Sequence, residues 1–131
     1  MKQTLVLIGV LVVLLSACQS LSEKHQATLL QDTLWRYQAT VRWGDLAQAE
    51  AFAGAGSNPS RKKFSPDLRV TGYEVVQGPS MIEPDQAVQT VVIEYVFESN
   101  QQVRKLIDQQ VWLYDSQAES WSRQSPLPEF H

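Results

Sequence analysis

Ala87-Val88-Gln89-Thr90-Val91-Val92-Ile93-Glu94-Tyr95-Val96-Phe97-Glu98 is the stretch that decides the fold. Val91, Ile93, Tyr95 and Phe97 alternate with Val92, Glu94 and Val96, the period of two that belongs to a strand and not to a helix. Both faces are largely apolar, which places this strand centrally in a sheet. Pro84-Asp85 ahead of it and Ser99-Asn100-Gln101-Gln102 behind it are turn signals. Downstream, Val103 to Tyr114 reads as the next strand, Asp115 to Glu119 as a turn and Trp121 to Gln124 as a short last strand. Upstream, Arg69 to Gln77 reads as a strand with a bulge at Gly72, and Gly78-Pro79 to Pro84-Asp85 bracket a loop. Strands in succession, separated by short loops, predict an antiparallel meander.

The residues ahead of these strands have a different period. Ala27, Leu30, Leu34, Tyr37 and Val41 are spaced by three and four, which is one stripe of a helix. Ser22 is its expected N-cap, and Gln19 to Lys24 reads as a polar tether. Trp35 points off the stripe, so it packs on a second surface or stays exposed. Gly44 interrupts the pattern. Asp45-Leu46-Ala47-Gln48 has the form of a capping box, and a second short helix is expected to run to about Ala53. Gly54 to Ser60 is a breaker cluster. Helices first and strands afterwards give an α+β fold. The expectation is a long N-terminal helix plus a short helix, packed on a curved antiparallel sheet of about four strands.

The chain has 131 residues, 44% of them hydrophobic and 19% charged, which fits one folded domain and excludes a disordered polymer. A net charge of −3 argues against a nucleic-acid binder that works by neutralising phosphates. One cysteine and two histidines exclude an intramolecular disulfide and a cysteine/histidine zinc cluster. No glycine-rich phosphate loop, nucleophile elbow or metal-ligand spacing is present, and no cofactor or metal is expected.

The N-terminus reads as an export signal. Lys2 is followed by an apolar run from Leu5 to Leu15, roughly 16 Å of helix at about 1.5 Å per residue. A hydrocarbon core of about 30 Å needs about 20 residues, so the run suits a signal peptide and not a stable span. Leu15-Ser16-Ala17-Cys18 resembles a bacterial lipobox, with an apolar residue, two small ones and then cysteine. The resemblance implies a diacylglyceryl group on the Cys18 thiol, cleavage before Cys18 and acylation of the freed amine. Each buried CH₂ contributes about 0.8 kcal/mol, so two or three chains hold a protein on a membrane effectively for good. By resemblance to enterobacterial sorting rules, Gln19 in place of an aspartate implies the outer membrane, facing the periplasm. Residues 1–17 are thus expected to be a signal peptide, 18–26 a lipidated tether and 27–131 a single α+β domain.

The stretch from Leu30 to Phe52, followed by Val70-Thr71-Gly72-Tyr73-Glu74-Val75, resembles nuclear-transport-factor-2-like domains. Asp108-Gln109-Gln110-Val111-Trp112-Leu113-Tyr114 and Trp121 through Pro126-Leu127-Pro128-Glu129-Phe130 resemble proteobacterial lipoproteins of the same cone-shaped, cystatin-like type. These motifs are packing patterns and carry no catalytic signature. The chain is short of a third helix that many members carry, which speaks against a deep closed pocket. The resemblance implies a cone-like fold that hosts enzymes, small-molecule binders and assembly proteins, so fold alone does not select among them.

Leu106, Asp108, Gln110, Trp112 and Tyr114 share one strand face. Members with isomerase or dehydratase activity use an acid, a tyrosine or a histidine in the cavity, so Asp108 and Tyr37 are the catalytic candidates, with Tyr73 and Tyr95 as further hydroxyls. The expectation set against this is that Asp108 and Gln110 face solvent while Ile107, Val111 and Leu113 fill the core, since buried acids are rare unless paired. Trp35, Gln110 and Trp112 are the binding candidates, Trp35 because it lies off the stripe. Arg61-Lys62-Lys63 with Arg69 reads as a solvated basic loop. Ser125 to Phe130 is expected to run extended over the domain with Leu127 and Phe130 as pegs, since proline cannot continue a central strand. The expected function is a non-enzymatic envelope lipoprotein that binds a partner protein or envelope component. The alternative is a small-molecule binder or isomerase/dehydratase-like enzyme with its site near Asp108.

Overall fold

A computed structural model describes residues 2–55 and 63–131, with side chains from residue 17 onward. The fold is α+β. Helix α1 (Lys2–Trp43) is followed by a 3-10 helix (Leu46–Phe52) and four strands: β1 (Leu68–Glu83), β2 (Gln86–Phe97), β3 (Arg104–Asp115) and β4 (Ser120–Arg123). The strands form one open sheet in the order β1-β2-β3-β4, and every neighbouring pair is antiparallel. The meander follows from connections too short for a crossover.

The predicted stripe is the face of α1 that packs on the sheet. Leu30, Leu34, Tyr37 and Val41 are buried in one cluster with Val70, Ala87, Val91, Ile93, Trp112 and Trp121. Ala27, the first residue of the stripe, is exposed. The helix does not start at Ser22, and residues 18–26 continue it instead of forming a loose tether. Gln26 ties this part of α1 to the sheet: its Nε2 donates to the Pro84 carbonyl (2.7 Å), and Trp121 Nε1 donates to its carbonyl (3.0 Å). Asp45 caps the short helix as expected, its carboxylate accepting from the Ala47 amide at 3.0 Å. Ala49 is buried, and Leu46 and Phe52 pack against the core.

β2 pairs on both sides, in the central place expected for it. Ala87, Gln89, Val91, Ile93 and Tyr95 are buried, and the residues between them are partly exposed on the outer face. β1 runs six residues past its expected end, and the expected loop at 78–83 is strand. Gly78-Pro79 is accommodated because β1 is an edge strand, where a missing amide donor costs no ladder bond on its open side. The register shifts between Gln77 and Ser80 absorb the irregularity, and the bulge at Gly72 lies between Val70 and Gly72.

The C-terminal segment is strapped to the domain. Leu127 and Phe130 pack against the core, and Phe130 meets Tyr95 edge-on at 5.0 Å. Tyr95 Oη and Arg104 Nη1 both donate to the His131 carbonyl.

Candidate functional site

Three parts of the molecule bear on function: the helix at Cys18, the inner face of the sheet, and the exposed tryptophans. Cys18 lies on α1, is exposed and has no disulfide partner. Among the described residues, no helix is long and apolar enough to cross a membrane. Among them also, no three histidine, cysteine or acidic side chains come together as a metal site.

The inner face overturns the expectation for Asp108 and Gln110. Both are buried, at 4% and 1% exposure, while Ile107 is 70% exposed. Val111 and Leu113 point to the outer face and are only half-buried. The reason is Arg123 on β4. Its Nη2 donates to Asp108 Oδ1 at 2.6 Å and its Nη1 to Asp108 Oδ2 at 3.0 Å, a bidentate pair. Nη1 also donates to Tyr37 Oη, Nη2 to the Pro126 carbonyl (2.8 Å) and Nε to the Ser125 carbonyl (3.1 Å). Every N–H of the guanidinium is therefore used. A buried charge is tolerated when it is paired and hydrogen-bonded in this way.

Gln110 extends the network. Its Nε2 donates to Asp108 Oδ2 (2.8 Å) and Tyr73 Oη (2.9 Å), and its Oε1 accepts from Gln89 Nε2 and Trp112 Nε1, both at 3.2 Å. Among the described residues, no buried side-chain nitrogen or oxygen lacks a partner. Trp112 is fully buried and meets Tyr37 edge-on at 5.2 Å. Gln110 and Trp112 are thus interior residues. Of the predicted set, the fold brings together Asp108, Gln110, Trp112 and Tyr37, and it leaves Trp35 apart.

Sequence reasoning missed Arg123. The available signal was its spacing from Trp121: the two share a face by period two, next to the strand that carries Asp108. Burial works against the Arg123 cation, but the hydrogen bonds and charge of Asp108 more than offset it, and its pKa is raised. Burial raises the Tyr37 hydroxyl well above its ordinary value and pushes Tyr73 up to about 12.

A pH dependence follows. An unfolded tyrosine ionises near pH 10, whereas Tyr37 and Tyr73 keep their protons in the fold. Their contribution is fully present below pH 10 and is lost as pH rises from 10 towards 12, because the unfolded chain then gives up protons first. With Tyr73 only half-buried, the loss between about pH 9 and pH 11 is expected to be roughly 2 kcal/mol. Urea melts at the two pH values measure it. An unchanged midpoint would refute it, as would four tyrosines titrating together near pH 10 in the folded protein.

The surface carries grooves that Asp108 does not line. One of about 600 Å³ lies where α1 ends, between Trp43, Leu46, Phe64, Pro66 and Arg69. Trp43 is 77% exposed there, with the Arg42 guanidinium 3.9 Å above its ring. Trp35 is 69% exposed on α1, beside the Asp32–Arg36 ion pair. Of the basic loop, Arg61 and Lys62 lie outside the described residues, and Arg69 pairs with Glu98 at 3.0 Å. Comparison with protein-family models, curated proteins and solved structures finds no match for this chain.

Proposed function

We propose that this protein is a bacterial envelope lipoprotein, held on the periplasmic face of the outer membrane by acyl chains on Cys18, whose α+β domain binds a partner protein or envelope component without catalysis. The observation that carries the reading is the exposed Cys18 that ends Leu15-Ser16-Ala17-Cys18, the chain's one cysteine, on a helix that leads directly into the domain. The saturated interior supports the non-enzymatic part. Both Asp108 oxygens accept from buried protein donors, Oδ1 from Arg123 and Oδ2 from Arg123 and Gln110, so the carboxylate is tied into the interior. Trp35, exposed and off the packing stripe, is a side chain suited to a partner, since tryptophan is enriched at binding surfaces.

Cys18→Ser is expected to move the protein from the membrane fraction to the soluble fraction. Mass spectrometry of the wild type should find residues 1–17 removed and Cys18 acylated. A Cys18→Ser variant that remains in the membrane fraction, or an unmodified Cys18 in the wild type, would refute the anchor.

A further inference from the structure

The end of the domain nearest Cys18 is built from α1, the tip of the β1–β2 hairpin and the turn between β3 and β4. Gln26 fastens the tip to the helix through the Pro84 carbonyl. A groove of about 520 Å³ runs between them, lined by Glu23, Gln26, Ala27, Met81, Ile82 and Pro84. Met81 is 51% exposed and Ile82 52%. Consecutive strand residues point to opposite faces, so neither face of this strand end is covered.

We propose that this tip is a second membrane contact, with Met81 and Ile82 seated in the head-group boundary of the leaflet that holds the Cys18 lipid. The inference rests on the anchor proposed above. Reach supports it. Glu23 and Ala27 follow Cys18 by about 7 to 14 Å of helix at about 1.5 Å per residue, and the polar layer of one leaflet is about 5–8 Å thick. A tilt of α1 brings the tip into that layer.

Tethering also supports it. Two half-exposed apolar side chains would not hold a free protein on a bilayer. An anchored protein makes the same contact intramolecularly, at an effective concentration of order millimolar. Charge selects the lipid. Glu23, Glu83 and Asp85 surround the apolar pair and outweigh Lys24, and all four are exposed. The contact therefore requires zwitterionic head groups, because an anionic surface repels it.

The test uses full-length acylated protein carrying Ile82→Cys, with an environment-sensitive fluorophore on the new thiol and phosphatidylcholine vesicles as the membrane. Acylated Cys18 has no thiol to label. The dye at residue 82 should shift to the blue and be quenched at least about twofold by lipids with brominated acyl chains, and less in vesicles rich in anionic lipid. A dye on Ile107→Cys, a position 70% exposed on the outward face of β3, should stay water-like. Vesicle-bound protein whose residue-82 dye remains water-like overturns the tip contact and leaves the anchor standing. Protein that does not bind vesicles overturns the anchor and this inference with it. A residue-82 dye equally shielded without vesicles assigns the tip to self-association and overturns the lipid as its occupant.

Discussion

Asp108→Ala is expected to destabilise the domain by about 3–5 kcal/mol, because it leaves the Arg123 guanidinium buried without its counter-charge. The Arg123 side chain is only 2% exposed and has no route to water without opening the strap at Ser125 and Pro126. Arg123→Ala is expected to cost a similar amount, since it strands the carboxylate and removes the donor to Tyr37. The double variant Asp108→Ala with Arg123→Ala is expected to cost less than the two single changes together, because no lone charge remains inside. Urea unfolding of the four proteins forms a double-mutant cycle, and a coupling energy of about 2 kcal/mol or more is expected. Single variants as stable as the wild type would remove the pair from the core. The prediction also bears on function, because a carboxylate held for structure and one held for proton transfer have different requirements. A general base needs a reachable lone pair, and Asp108 directs its oxygens at protein donors.

The second large effect is at Trp112. Trp112→Ala is expected to cost about 3–5 kcal/mol through lost transfer energy and the cavity left behind. Trp112 is fully buried and packs edge-on against Tyr37 and Phe52, so it joins α1 and the short helix to the sheet. Against a total stability of about 5–15 kcal/mol, the loss is a large fraction. Thermal unfolding followed by circular dichroism tests it, with Trp35→Ala as the comparison. Trp35 is 69% exposed, so its replacement should change stability by about 0.5 kcal/mol or less. Equal effects at the two tryptophans would contradict the packing described.

The elements legible in the sequence are those whose signal is local. The alternation from Ala87 to Phe97 marked the central strand, and the spacing of Leu30, Leu34, Tyr37 and Val41 marked the buried face of α1. Asp45 marked the start of the short helix because its capping bond spans two residues. Misread elements depend on distant partners. Residues 18–26 are polar enough to read as a tether, yet they are helical, and Gln26 reaches Pro84 and Trp121 far along the chain. Gly78-Pro79 reads as a loop until β1 is known to be an edge strand. The period of two marks the inner polar set as one face, but the rule that acids are seldom buried turns that face the wrong way. That rule reverses when a cation is opposite, and Arg123 lies fifteen residues away in sequence. Neither Asp108 nor Arg123 signals the pairing alone; the register sets Arg123 opposite Trp112, and its long side chain reaches back along β3 to Asp108.

The unbroken course of α1 from Cys18 to Trp43 has one more consequence. A flexible leader would let the domain sample a hemisphere above the bilayer, but a stiff one sets a height. At about 1.5 Å per residue, Trp43 stands at most about 37 Å from the acylated residue, and the groove beside it opens at that level. Under the proposed anchoring, the molecule works as a spacer. Whatever docks at its far end meets it no farther than that from the leaflet.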